Sequence, residues 1–278
     1  MLDSNLLTFI KFKSSGLATT PLDMLQYGCL QYAINNEYFD EYSNFGQIKY
    51  FSKEERDNSK KDWPIDFSYF INDIGFRGKY PNTNDKRVFA FFGCSVTFGQ
   101  GLPEHKIYAD LISRYYDKKY LNLGIPGASI HRTALTFSAA SRIWDIETAV
   151  INLPTFTRLH YVDTANRLQS ILLTHNTEQK DIESVRLAVL KDFSDQFLVA
   201  DAIDAIQWII DIAKSKNINL VLTSWNADTI QLVKTGFNLD ILKFNMIDTA
   251  RDEHPGIQSH KEFSENVISI LTGGTYIC

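Results

Sequence analysis

The chain has 278 residues, 44% of them hydrophobic and 22% charged, with a formal net charge of -5. That length and composition exclude a disordered chain and suit one large domain or two small ones. The negative balance argues against a general nucleic-acid binder, which presents a basic face, and no window approaches the roughly 18 apolar residues of a membrane span. The opening stretch MLDSNLLTFIKFKSSG carries Asp3 and too short an apolar run for a signal peptide, so a cytoplasmic protein is expected. Cys29, Cys94 and Cys278 lie far apart and form no CxxC pair. Neither a disulfide framework nor a zinc site is expected from them, and no other spacing argues for a metal or cofactor.

In chain order, residues 1–85 are rich in Tyr, Phe, Asn and Asp, with a charged stretch KEERDNSKKD at 53–62. A weak helix is expected over 22–34, and turn formers cluster at Pro81-Asn82-Thr83-Asn84-Asp85. This part reads as an irregular N-terminal extension packing on a core domain of residues 86–278. From residue 86 the texture alternates. Residues 87–93 (RVFAFFG) form a continuous apolar run of strand length, and 104–116 place Ile107, Leu111 and Tyr115 at helical spacing. A short strand at 120–123, a helix over 132–143 and a buried-type strand at 148–153 (TAVINL) follow. Residues 196–214 carry Phe197, Ala200, Ile203, Ile206, Ile210 and Ala213, a long amphipathic helix; 218–223 (INLVLT) is a strand. The last helix spans 257–271, with Phe263, Val267, Ile270 and Leu271. Such alternation predicts a parallel sheet covered on both faces, a flavodoxin-like three-layer α/β sandwich. Sites in these sheets lie outside the carboxyl ends of the strands.

The first strand ends in Gly93-Cys94-Ser95-Val96-Thr97-Phe98-Gly99. Ser95, between a buried strand and a helix, is placed at the rim as a nucleophile or, more blandly, as a helix cap. The segment is neither GxSxG nor a phosphate loop. The second strand ends in Asn122-Leu123-Gly124-Ile125-Pro126-Gly127-Ala128-Ser129, where Gly127 lets backbone approach a ligand closely. His254, in Arg251-Asp252-Glu253-His254-Pro255-Gly256, stands on a loop before the last helix, with Asp252 two residues earlier to orient it. Ser, His and Asp together make an activated nucleophile and its base. His131 and Arg132 are read as cleft-lining, Arg132 toward an anionic substrate group, and Arg158 as a rim cation for a carboxylate or a structural ion pair. Trp225 is either a stacking wall or core, and His260 is read as helix surface or helix N-terminal packing.

These pieces resemble the SGNH hydrolases, the GDSL esterase/lipase superfamily, over roughly residues 65–272. GCSVTFGQGL resembles the first block, GDSxTxG; NLGIPGAS the second; DEHPGIQSHKEFSENV the fifth, DxxHP; and INDIGFRG at 71–78 resembles a stretch that precedes the first block. The resemblance implies Ser95 as nucleophile, His254 as general base and then acid, and the backbone N–H groups of Ser95 and Gly127 as oxyanion donors. It also marks departures. The third block, GxND, falls where this chain reads Leu153-Pro154-Thr155-Phe156-Thr157-Arg158, so its Asn is missing. A hydroxyl of Thr155 or Thr157 supplies a third donor, or the hole has only two. Cys94 replaces the Asp before Ser95. Arg251 stands three before His254, where the family has its acid, leaving Asp252, Asp248 or no acid to support the imidazole.

Two function classes follow. The first is a serine esterase or acylhydrolase that removes acetyl or other short acyl groups, with a small-molecule or glycan ester as substrate. The second is a catalytically silent SGNH-like fold that binds glycans or builds a larger assembly, such as a viral particle, with a homo-oligomer or assembly partner. Neither involves nucleic acid.

Overall fold

The computed structural model describes residues 69, 72, 75–162, 168–173, 195–250 and 254–273. The sheet grows from β1 (Val88–Gly93), six consecutive buried residues. In β1, Phe91 packs edge-on against Tyr108 and Phe92 against Phe137, so successive side chains address opposite helical layers. Parallel β2 (Tyr120–Gly124) and β3 (Ile146–Leu153) flank it, followed outward by β6 (Asn219–Ser224) and the short β7 (Leu242–Lys243). The order β2-β1-β3-β6-β7 is the flavodoxin-like order once β4 (Arg158–Val162) and β5 (Leu168–Leu172) are set aside as a separate antiparallel hairpin.

Helices α1 (Ser95–Phe98), α2 (Tyr108–Tyr115), α3 (Ile130–Ile143), α4 (Asp195–Lys216), α5 (Ala227–Phe237) and α6 (Ile257–Gly273) complete the layers. Phe137 sets α3 on the Phe92 face, where α4 packs beside it. Tyr108 sets α2 on the Phe91 face, and Phe263 of α6 packs edge-on against Tyr108. The sandwich expected from the alternation is therefore present, an α/β fold with a central parallel sheet.

Differences from expectation have local causes. Residues 104–116 divide into a 3-10 turn, Glu104–Lys106, and α2. The buried face of α2 is Tyr108, Ala109, Ile112 and Ser113. Leu111 is only half-buried and Tyr115 is 62% exposed, so the expected stripe was rotated from the true one. The β4–β5 hairpin, α5 and β7 were not foreseen. Their strands are short, and α5 mixes polar residues with Gly236 near its end. The turn at 81–85 is present, with the Asp85 amide donating to the Asn82 carbonyl at 2.9 Å. Residues 22–34 and 53–62 lie outside the described residues.

Candidate active site

Ser95 is the first residue of α1, and Cys94 is its N-cap, so Ser95 does not cap the helix. Its main chain is fixed: the Ser95 carbonyl accepts from Gly99 N at 2.9 Å and Gln100 N at 3.1 Å. Its side chain is half-buried and makes no hydrogen bond among the described residues. Gly93, at φ +148, brings β1 so close to Thr97 and to the Asn152 backbone that a Cβ would strike both. Thr97 is anchored below, its Oγ1 donating to Phe92 O at 3.1 Å and accepting from Tyr108 OH at 2.8 Å.

Beyond α1 the loop is tethered by Arg77, the arginine of INDIGFRG, to which the sequence assigned no role. Arg77 exposes 1% and donates through Nη1 to Phe98 O (2.9 Å) and Gly99 O (2.6 Å), and through Nη2 to Leu102 O (2.6 Å). Its guanidinium lies 4.6 Å from the Tyr69 ring centroid, and Tyr69 OH accepts from Gly101 N at 2.7 Å. Burial lowers its pKa against the pull of Tyr69 and Glu104. An arginine between two glycines in an aromatic stretch was the available signal.

The turn after β2 joins this loop directly: Ile125 N donates to Gly93 O at 2.9 Å and Ala128 N to Ile125 O at 2.9 Å. Gly127 takes φ +80, which favours glycine, and Ser129 caps α3 by accepting from Arg132 N at 3.1 Å. From the start of β4, Arg158 Nη1 reaches the same turn and donates to Ala128 O at 3.2 Å. Thr155 is buried, its Oγ1 2.9 Å from Thr157 Oγ1, and the loop is held from α5 by Thr229, whose Oγ1 donates to Pro154 O at 3.1 Å. Ser95, at the start of α1, and Gly127 and Thr155, on loops, thus follow three adjacent strands, and Arg158 opens β4 just beyond the β3 loop. Arg158 forms no ion pair among the described residues.

His254 precedes α6. Its carbonyl accepts from Ala250 N at 2.6 Å, within a loop closed by the Thr249–Pro255 bridge. Helix α6 starts at the level of the first residue of α2, because Tyr108 N donates to His260 Nδ1 at 3.1 Å. Asp252 lies outside the described residues. Asp248 is committed to α6: Oδ2 accepts from Gln258 N (3.0 Å), and Oδ1 from Ser259 N and Ser259 Oγ (both 2.7 Å). Partial burial opposes its ionisation, but these donors outweigh it and hold the carboxyl below its ordinary value.

One reading needs correction, and two that left alternatives open are narrowed. Of the two alternatives for His260 the structure takes packing at the N-terminal turn of α6, not the helix surface: it is fully buried, its ring stacks on Tyr108 at 5.5 Å, and its Nε2 is buried without a partner among the described residues. His131 turns toward α4, with Nδ1 3.4 Å from Asp201 Oδ1, whose hydrogen bond raises the imidazole pKa. Trp225 takes the core alternative, half-buried against the core with its indole N–H buried and unpartnered among the described residues. Asn152, passed over in the sequence, is fully buried beside Gly93 with neither carboxamide atom hydrogen-bonded among the described residues. A lone Asn at the end of an apolar strand was its signal.

No protein-family model matches the chain, and a search of curated proteins finds no match. Among solved structures the chain is similar to the psychrotrophic esterase EstA from Pseudoalteromonas sp. (10% identity, 68% of this chain and 98% of that one, TM-score 0.43). It is also similar to a GDSL-like lipase from Bacteroides thetaiotaomicron (14%, 71% and 93%, TM-score 0.37) and to the acetyl xylan esterase AlAXEase (16%, 65% and 98%, TM-score 0.30). Likeness at this level carries nothing about chemistry, which rests on this chain's own side chains.

Proposed function

We propose that the protein is a serine ester hydrolase that removes a short acyl group, such as acetyl, from a carbohydrate. One observation supports this most: Ser95 stands half-exposed on a rigid turn at the end of a buried strand, with no hydrogen bond holding its hydroxyl among the described residues. A serine used as a cap would have its oxygen engaged.

In this reading Ser95 Oγ attacks the acyl carbon while His254 takes its proton. The oxyanion is held by the N–H groups of Ser95 and Gly127, with the Thr155 hydroxyl taking the place of the missing Asn. As the tetrahedral intermediate collapses, His254 returns the proton to the leaving alcohol, and water then hydrolyses the acyl-enzyme by the same route. Asp252 orients His254, since Asp248 already serves α6.

The test is hydrolysis of 4-nitrophenyl acetate by wild type, S95A and H254A. Each variant is expected to lose at least about a hundredfold in kcat. Equal rates in all three would sink the proposal and leave a silent fold that binds its glycan without cleaving it.

A further inference from the structure

Arg132 is the third residue of α3, just past the Gly127 turn. It exposes only 8%, yet its Nε and Nη2 are buried with no hydrogen-bond partner among the described residues. It forms no ion pair among the described residues. An arginine keeps its charge throughout the accessible pH range, and a buried unpaired charge is among the costliest groups a fold can hold. Its backbone explains why it sits there: the amide completes the Ser129 cap, and the carbonyl accepts from Thr136 Oγ1 at 2.9 Å. Nothing in the helix explains the guanidinium.

Three features converge on that group. Side chains on a helix lean toward its N-terminus, so Arg132 lies over the first turn of α3. The first-turn N–H groups there have no intrahelical acceptors, and the helix dipole favours negative charge. Arg158 adds a second guanidinium at the same turn, with Nη1 on Ala128 O and no carboxylate paired to it among the described residues. The same turn is hydrogen-bonded to Gly93, two residues before Ser95.

We propose that Arg132 and Arg158, over the first turn of α3, form a subsite for a carboxylate on the alcohol moiety of the ester substrate. The inference rests on the hydrolase reading above. With a short acyl group, the remainder of the substrate, and so its charge, belongs to the alcohol. The unpaired donors of Arg132 are complementary to a carboxylate, and a planar fork binds it bidentately. The substrate class is an acylated acid, for which an acylated sugar acid is the carbohydrate form.

Two measurements test this. The first compares 4-acetoxybenzoate with its neutral analogue 4-acetoxybenzamide in wild type, R132M and R158M. Wild type is expected to prefer the carboxylate by about tenfold or more in kcat/KM, and R132M to bring that ratio close to one. A wild-type ratio near one, or a ratio unchanged in R132M, overturns the subsite. The second is calorimetric binding of 4-hydroxybenzoate to wild type, S95A and R132M, which needs no turnover. S95A should bind like wild type and R132M about tenfold more weakly. Retained binding in S95A with no Ser95-dependent turnover keeps the anion site and discards the hydrolase reading; Ser95-dependent turnover without carboxylate preference or binding does the reverse. R132M should unfold at or above the wild-type temperature, because it removes an unpaired buried charge. A clearly lower midpoint means that the fold itself satisfies Arg132, and overturns the proposal.

Discussion

Asp248 spends both carboxylate oxygens on the first turn of α6, where a negative charge also meets the positive end of the helix dipole. Gly256 is part of this arrangement, since a Cβ there would lie 2.6 Å from Asp248 Cγ. D248A should therefore lower stability by about 1–2 kcal/mol at neutral pH, the usual worth of a lost cap. The folded pKa is depressed, so the contribution is complete above the ordinary value of 3.8 and is lost as pH falls through the lower folded value. Urea unfolding of wild type and D248A should differ most near neutrality and converge below that range. A gap independent of pH would show that geometry, not charge, carries the cap. The same commitment decides the support of His254. A carboxylate already accepting three hydrogen bonds from α6 is a poor orienter for a neighbouring imidazole, which leaves Asp252 as the acid to test.

At the scale of elements, the position of Ser95 depends on how closely α1 approaches β2. A Cβ on Gly124 would sit 2.7 Å from Thr97 C and 2.9 Å from Phe98 Cα, so the contact is with backbone and has no flexible side chain to yield. G124A should displace α1 at a cost of about 1–3 kcal/mol, as overpacking does. Because α1 carries Ser95, the kcat for an aryl acetate should fall by a larger factor than KM rises. Wild-type stability and kcat in G124A would refute the contact. This region also shows what the sequence revealed. Strands β1, β3 and β6 were legible because strands buried on both faces are continuous apolar runs, which placed Ser95 directly after β1, whereas Gly127 was placed by its Gly-Ile-Pro-Gly turn after the shorter β2. Helix α2 was read one face off, because its buried side includes the small residues Ala109 and Ser113, while the larger Leu111 and Tyr115 drew the stripe to the other face. The tether from Arg77 and the burial of Arg132 were hidden, since both arise from segments brought together only by folding.

At the scale of the whole molecule, His260 couples the two helices of one layer across 152 residues of sequence. Its Nδ1 accepts from the first amide of α2, its ring stacks on Tyr108 and meets Phe244 edge-on at 5.4 Å, and no water-facing surface remains. Burial lowers its pKa to about 3, with smaller pushes from Arg77 and His254 and an opposing pull from Asp248. In the unfolded chain the imidazole takes up a proton near 6.5. The unfolded state therefore binds one more proton than the native state between these values, so the stability this group contributes is present above 6.5 and drains as pH falls toward 3. Within that window it amounts to about 1.4 kcal/mol for each pH unit. His131 works the other way, because its raised pKa makes the folded protein the better proton acceptor. Comparison with H260Q isolates the buried ring: glutamine can still accept from Tyr108 N but takes no proton. Urea midpoints measured from pH 7.5 to 4.5 should fall more steeply for wild type than for H260Q, with a slope difference close to one proton. Parallel curves would mean that His260 is protonated in the native fold, and that its unpartnered Nε2 finds an acceptor when charged.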